Sequence, residues 1–110
     1  TDMVEVENEL YVLVEAVKHS NIYKEYDRCK KTLKADPELF RRVNVFRIES
    51  YKLNRQPDDG TLQDRLEKFQ ADNLELTEEP RVRAFLDAEL GLCRMIQEIN
   101  TRLVRGIDFE

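Results

Sequence analysis

The residues of this sequence that could do chemistry are one histidine, two cysteines and a few carboxylates. Glu89 and Cys93 lie four positions apart, so a helix would place their side chains on one face. With Glu49 from another helix, Glu89 could contribute to a carboxylate metal site in the core of a helical bundle. Such sites need Glu-x-x-His pairs, and the segment ELGLCRM lacks the histidine. The sequence therefore favours a structural role for Glu89, as a hydrogen-bonded carboxylate within a packed interface.

The histidine and the cysteines lack the neighbours that catalysis or metal binding requires. His19 lies at a predicted helix end, where the adjacent Ser20 is explained by helix capping rather than by nucleophilic catalysis. Cys29 and Cys93 form no Cys-x-x-Cys pair, and each lies in an apolar stripe, where cysteine usually packs as a small hydrophobic residue. The 3 glycines are too scattered to form a phosphate-binding loop. We therefore predict a protein that is not an enzyme and holds no cofactor or metal.

An alternative function uses the thiols. If several chains pooled their cysteines, Cys93, with or without Cys29, could ligate a metal ion or an iron–sulfur cluster. The protein would then be a sensor subunit of a multiprotein regulatory complex.

Composition argues against several classes of partner. The 110 residues include 18 basic and 23 acidic side chains, a net charge of −5, so the chain lacks the basic field of a nucleic-acid-binding protein. No apolar run approaches the roughly 20 residues of a membrane span. Two free thiols without a signal peptide are typical of a reducing compartment. We expect a cytoplasmic protein that binds neither nucleic acid nor membrane directly.

The spacing of the apolar residues predicts an all-α fold. Few glycines and prolines are present, and no segment alternates with a period of two. Ser20, the ADPEL segment, the turn QPDDGT and Pro80 mark the boundaries between helices, and Gly106 is expected to end the last one in a left-handed conformation. We predict one domain, 1–110, forming a small antiparallel bundle of four to five helices with a long C-terminal helix. The approximate helices are 3–18, 20–34, 37–56, 60–76 and 79–105.

The last predicted helix has an apolar face about half the cylinder wide, more than a bundle of this size needs to cover. We predict that part of it contacts another polypeptide through helix–helix packing. The residues expected at this interface are Phe85, Glu89, Leu92, Cys93, Ile96, Asn100 and Leu103. Asn73 and Asn100 interrupt apolar stripes, either as buried amides that fix register and partner or because the stripe reaches solvent there.

The order of these features resembles the YlbF/YmcA family of regulators from low-GC Gram-positive bacteria. The similarity extends over nearly the whole chain, through HSNIYKEY, ADPEL and VRAFLDAELGLCRMIQEINTRLVRGIDF. The positions that match the family pattern are Phe85, Leu86, Ala88, Glu89, Ile96, Ile99, Gly106, Ile107 and Asp108.

This resemblance implies an α-helical cytoplasmic protein without catalysis of its own, acting in competence, sporulation and biofilm control. Some members assemble with relatives into a complex that influences RNA processing by ribonuclease Y, and in some, cysteines help to bind iron–sulfur clusters. We therefore expect a regulatory adaptor that works as a homodimer or with a related helical paralogue, with an RNA-processing complex as a further candidate partner.

Overall fold

The computed structural model describes residues 2–109, which contain six α-helices and no β-strand. The helices are α1 (Asp2–Lys18), α2 (Asn21–Lys34), α3 (Pro37–Asn54), α4 (Leu62–Asp72), α5 (Leu74–Glu78) and α6 (Pro80–Gly106). The all-α prediction is confirmed, as is the long C-terminal helix, since α6 has 27 residues.

Predicted helix 60–76 is two helices in the structure, because Asn73 interrupts it. The backbone N–H of Asn73 donates to the Phe69 carbonyl at 3.1 Å, and its side-chain Nδ2 donates to the same oxygen at 2.8 Å. An asparagine side chain that bonds to a nearby backbone group competes with the helical ladder. Asn73 thus ends α4 and precedes α5, which raises the number of helices to six.

Two predicted helix starts are built by side-chain caps. The Ser20 hydroxyl accepts a hydrogen bond from the Tyr23 backbone N–H at 3.1 Å, at the start of α2. The Asp36 carboxylate accepts from the Leu39 N–H at 3.2 Å, and Pro37 occupies the first turn of α3. Each cap satisfies a backbone donor that the helix itself leaves unpaired.

Helix α6 begins with a cap from Glu79. Its Oε2 accepts hydrogen bonds from the backbone N–H groups of Arg81 and Val82, at 2.9 and 3.1 Å. Pro80 follows it as the first helical residue, which has no N–H to satisfy. Glu79 thus caps the start of α6.

Helix α6 ends differently from the prediction. Gly106 is helical, and the residue with a left-handed backbone is Asp108, at φ 55°. The Phe109 N–H donates to the Val104 carbonyl at 3.0 Å, and the Asp108 N–H donates to the Arg105 carbonyl at 3.1 Å. This hydrogen-bond pattern is a Schellman motif. Aspartate tolerates the left-handed region better than most residues, which allows the helix to run past the glycine.

The chain divides into two compact units. The first comprises the chain up to Cys29 together with the segment from Asp87 onward, and the second is Lys30–Leu86. The buried apolar residues of the second unit are Leu33, Leu39, Val43, Leu76, Val82 and Phe85. Among the described residues of the first unit, only Cys29 is buried.

Contacts between helices hold the second unit together. The rings of Phe46 and Phe69 stack with their centroids 5.3 Å apart, which joins α3 to α4. The Arg81 guanidinium lies 3.3 Å from the Asp36 carboxylate, which links the first turn of α6 to the cap of α3. The Arg47 guanidinium lies 5.4 Å from the centroid of the buried Phe85 ring. These contacts give this unit a defined core.

Within the first unit, α1 and the later part of α6 line a common groove of about 590 Å³. Leu13 and Val17 line it from α1, and Met95 and Ile99 line it from α6. Helix α1 nevertheless has no buried residue. The groove therefore covers only part of the apolar surface that these helices carry.

Candidate interaction surface

His19 and Ser20 serve the backbone where α1 ends and α2 begins. The His19 Nδ1 lies 2.6 Å from the Glu15 carbonyl oxygen. The Ser20 hydroxyl, besides capping α2, donates to the Val17 carbonyl at 2.6 Å. Both side chains thus hydrogen-bond to backbone groups at the end of α1, and Ser20 also has the capping role that the sequence favoured for it.

Cys29 is a buried thiol with two polar neighbours. Its Sγ lies 3.5 Å from Glu25 Oε1 and 3.6 Å from the Arg28 guanidinium. Burial raises the pKa of the Cys29 thiol, and the hydrogen bond to the Glu25 carboxylate raises it further. A hydrogen bond from Arg28 lowers the pKa of Glu25, which keeps the carboxylate ionised beside the thiol. A protonated, buried thiol is a poor nucleophile and metal ligand.

No group of three or more His, Cys, Asp or Glu side chains within residues 2–109 is arranged to hold a metal ion. Cys93 is exposed, whereas Cys29 is buried. None of the helices formed by these residues is both long enough and apolar enough to cross a membrane.

The second unit has a groove of about 780 Å³ with a mixed lining. Phe46 and Phe69 form part of its wall, and Gln63, Gln70 and Arg83 contribute polar side chains. The groove contains no histidine, cysteine or carboxylate that could act as a nucleophile or base. Its lining offers hydrogen-bonding groups and apolar contact surface.

A different surface stands out on α6, on the part of the helix that belongs to the first unit. Five residues with the 3-4-3-4 spacing of a coiled-coil seam lie exposed along one face of the helix and its last turn. We call them the α6 stripe: Cys93, Ile96, Asn100, Leu103 and Ile107. The exposed fractions of Ile96, Leu103 and Ile107 are 53%, 60% and 64%. Aliphatic side chains at these positions would usually be covered.

The structure separates the residues that the sequence placed at one interface. Cys93, Ile96, Asn100 and Leu103 lie together on the open α6 stripe. Phe85 is 0% exposed and belongs to the core of the second unit.

The other two predicted residues, Glu89 and Leu92, are half-buried. Ile107 was absent from the predicted interface, although the apolar pattern extends to it. Its exposure adds it to the stripe.

The α6 stripe is free of charge and is bordered by uncharged residues. At about 100° per residue, the charged side chains from 90 to 106 all fall on the opposite half of the helix. They are Arg94, Glu98, Arg102 and Arg105. The residues beside the stripe are Leu90, Leu92, Gln97, Ile99 and Val104. A partner that packs on the stripe therefore meets an apolar and amide surface without ionic repulsion.

Helix α1 carries a second apolar stripe, with different borders. Its members are Met3, Val6, Leu10, Leu13 and Val17, again at 3-4-3-4 spacing. Met3, Val6 and Leu10 are more than half exposed. Glu7 borders the stripe on one side and Glu9 on the other, and the whole helix has five acidic residues and one basic residue. The apolar pattern of α1 could have identified this surface from sequence.

Most of the exposed apolar residues lie in the first unit. It contributes fourteen of the eighteen exposed large hydrophobic residues in the described part of the chain. With roughly 100 Å² per fully exposed aliphatic side chain, fourteen half-exposed ones leave about 700 Å² of apolar surface in water. Large exposed apolar patches are typical of protein-binding surfaces.

Comparison with known proteins identifies a family. The family model Com_YlbF, described as control of competence regulator ComK, YlbF/YmcA, matches residues 6–108. That range includes most of α1, the core of the second unit and the complete α6 stripe. Neither the curated proteins nor the solved structures contain a match to this chain.

Proposed function

The chain belongs to the Com_YlbF family, whose description is control of the competence regulator ComK, and we propose that it acts in such regulation as a non-enzymatic adaptor. In this proposal it works in the cytoplasm by binding another helical protein through the α6 stripe. Regulation then depends on an assembly that the chain helps to form, rather than on a reaction that it catalyses.

The exposure of the α6 stripe is the observation that carries this proposal. Ile96, Leu103 and Ile107 are each more than half exposed on a continuous seam. Covering the exposed part of one such side chain contributes about 1 kcal/mol to association. The three together supply a substantial part of the free energy of a specific but reversible contact.

The polar members of the stripe support selectivity. Asn100 lies among aliphatic residues on the open face. An amide within an apolar helical seam disfavours registers that leave it without a hydrogen-bonding partner. Asn100 would therefore restrict which helix can bind and in which alignment.

The proposal is tested by comparing two equivalent isoleucines. Ile96 on the stripe is 53% exposed, and Ile48 on α3 is 56% exposed, and both lie inside long helices. Each is replaced by aspartate, and each variant is expressed in the native host after deletion of the natural gene. ComK-dependent transcription is then measured with a reporter.

We expect Ile96→Asp to abolish normal control of the reporter and Ile48→Asp to retain it. Circular dichroism melting of the purified variants checks that both are folded. If folded Ile96→Asp restores full control, the α6 stripe is not the functional surface and the proposal is wrong.

A further inference from the structure

We infer that the groove of the second unit binds an extended, acidic segment of another protein. Its lining comes from α3, α4, α5 and the first turn of α6, and we call it the α3–α4 groove. In this inference the occupant lies along α3, with a carboxylate at Arg83 and backbone N–H groups at Asn54 and Gln63. The groove uses none of the residues of the α6 stripe, so it gives the chain a second binding site.

Contacts of neighbouring residues place Arg83 and Asn54 toward opposite ends of this groove. Two positions before Arg83, the Arg81 guanidinium lies 3.3 Å from the carboxylate that caps the start of α3. Two positions after it, the Phe85 ring centroid lies 5.4 Å from the Arg47 guanidinium. The backbone at Arg83 therefore lies level with the part of α3 that precedes Arg47. Asn54, in contrast, is the last residue of α3.

Helix α4 runs back along α3 and lines the same groove. Gln56, just after α3, accepts a hydrogen bond from Arg65 in the first turn of α4. Further along, the Phe69 ring stacks on the Phe46 ring. The two helices are therefore antiparallel, and Gln63 lies at the end of the groove where α3 finishes.

The length of the groove along α3 sets the length of its occupant. Eight positions separate Phe46 from Asn54, and at 1.5 Å per residue they span about 12 Å. An extended chain covers this distance with about four residues, at roughly 3.3 Å each. The groove thus suits a short linear segment.

Hydrogen bonds within the chain leave acceptors at the far end of the groove. The Asn54 Nδ2 donates to the Ser50 carbonyl at 2.8 Å, and the Gln63 Nε2 donates to the Glu67 carboxylate at 3.1 Å. The oxygen of each amide is then the group left for a ligand. An extended segment has backbone N–H groups that can donate to these oxygens, whereas a helix satisfies most of its own. The pattern therefore favours an extended occupant.

Arg83 selects for an acidic occupant. Among the described residues that line the groove, it is the only one with a charge. Within residues 2–109, its side chain forms no ion pair or hydrogen bond of its own. A guanidinium binds a carboxylate through two parallel hydrogen bonds. The Phe46 and Phe69 rings add apolar contact surface for a neighbouring side chain.

The charge of the second unit is compatible with this ligand. Lys30–Leu86 contains twelve basic and eleven acidic residues, so an acidic segment meets no net repulsion there. The first unit has six basic and twelve acidic residues and would repel the same segment.

Capped tetrapeptides test the groove in the full chain. The probes are acetyl-Glu-Leu-Ala-Ala-amide and acetyl-Ala-Ala-Leu-Glu-amide, because the lining is compatible with either chain direction. Each has a neutral counterpart in which glutamine replaces glutamate. Backbone amide chemical shifts, measured by NMR, report both the affinity and the location of binding.

We expect one acidic probe to bind with a dissociation constant on the order of millimolar, since four residues make few contacts. The shifts should be concentrated in α3, α4 and the first turn of α6. The neutral counterpart should bind about tenfold more weakly, because the charge-assisted hydrogen bonds are lost.

Two arginine variants separate charge recognition at the groove from a general effect of net charge. Arg83→Gln should reduce the affinity for the acidic probe to that for the neutral one. Arg42→Gln is the matched control and should bind as the native chain does. Arg42 is also exposed and belongs to the second unit, but it does not line the groove. The amide spectrum of each variant shows whether it is folded.

Several outcomes would overturn the inference. They are the absence of shifts at the groove with every probe at millimolar concentration, equal affinity for acidic and neutral probes, and equal weakening by the two arginine variants. The reporter experiment with Ile96→Asp tests a different surface. Failure at the groove therefore leaves the proposed function in place, and failure of the reporter experiment leaves peptide binding at the groove in place.

Discussion

The two units of the molecule differ in whether their apolar residues are buried or exposed. Six of the seven buried hydrophobic residues within residues 2–109 lie in Lys30–Leu86, whereas the first unit contains most of the exposed ones. Charge differs as well, since the second unit has twelve basic and eleven acidic residues and the first has six basic and twelve acidic. The second unit buries apolar residues in a core of its own and is nearly neutral. The first unit leaves most of its apolar residues exposed and is acidic, which is typical of a protein-binding region.

This difference in burial predicts which substitutions change the stability of the chain and which change its association with a partner. A core of interdigitated side chains is sensitive to the loss of even a few atoms, because interiors are close-packed. Exposed side chains of the first unit make few packing contacts within the chain, so a substitution there removes little packing. Substitutions in the second unit should therefore change folding, and substitutions in the first should change association.

The largest effect is expected for Phe85→Ala. The ring is 0% exposed, and its removal leaves a cavity in the second unit. Large-to-small changes of this kind reduce the free energy of unfolding by about 3–5 kcal/mol. Leu103→Ala, at 60% exposure in the first unit, should change it by less than about 1 kcal/mol. Denaturant unfolding at submicromolar protein concentration measures both, and equal losses would contradict the contrast between the units.

A smaller effect is expected for Asp36→Ala, which removes the cap of α3. The Asp36 carboxylate accepts from the Leu39 N–H and pairs with Arg81. Loss of an aspartate N-cap reduces the free energy of unfolding by about 1–2 kcal/mol. Arg81→Ala is the control, because it removes the exposed ion pairs with Asp36 and Glu79 and leaves the Asp36 cap in place, so its loss should be clearly smaller. Thermal melting ranks the two variants, and the reverse order would show that the ion pair matters more than the cap.

Asn100→Leu should strengthen association while making it less selective. Replacing the amide removes the need for a partner that can hydrogen-bond, so the dissociation constant should fall by about tenfold. An uninterrupted aliphatic stripe can also pack in more than one register, so larger assemblies are expected. Light scattering across a concentration series detects both changes. Unchanged affinity together with an unchanged molar mass would mean that Asn100 lies outside the contact.

The smallest effects are expected at the end of α6. Gly106 is helical and an added Cβ would meet no atom within 4 Å, so Gly106→Ala should stabilise the last turn by about 0.5–1 kcal/mol. Asp108→Gly should also stabilise it, because Asp108 has a positive φ that glycine adopts freely. Amide hydrogen exchange at Ile107 and Phe109 reports on this turn. A loss of protection in Gly106→Ala would place the left-handed residue at Gly106 instead.

The helices and their caps could largely be predicted from sequence, because periodicity and capping are local properties. The apolar spacing and residues such as Ser20, Asp36 and Pro80 identified most boundaries correctly. Asn73 was missed as a helix break because its effect depends on which nearby group its amide bonds to. Gly106 was assigned a left-handed conformation from residue preference alone, and the Schellman bonds instead close around Asp108.

The candidate site was harder to predict, because periodicity identifies a face without showing what covers it. Phe85 and Leu103 lie on the same face of α6 and look equivalent in the sequence. In the structure, Phe85 packs in the core of the second unit and Leu103 lies open. The difference comes from other helices of the chain, which sequence spacing within α6 does not describe.

The division of the chain also has a consequence for its biosynthesis. Lys30–Leu86 is one uninterrupted stretch, so a ribosome has made every residue of that core before it reaches Asp87. Helix α1 is translated before this core, whereas the α6 residues of its unit are translated after it. While the core is being made, the aliphatic residues of α1 are therefore without the α6 side chains that line their groove. During this interval the helix presents apolar surface that chaperones can bind.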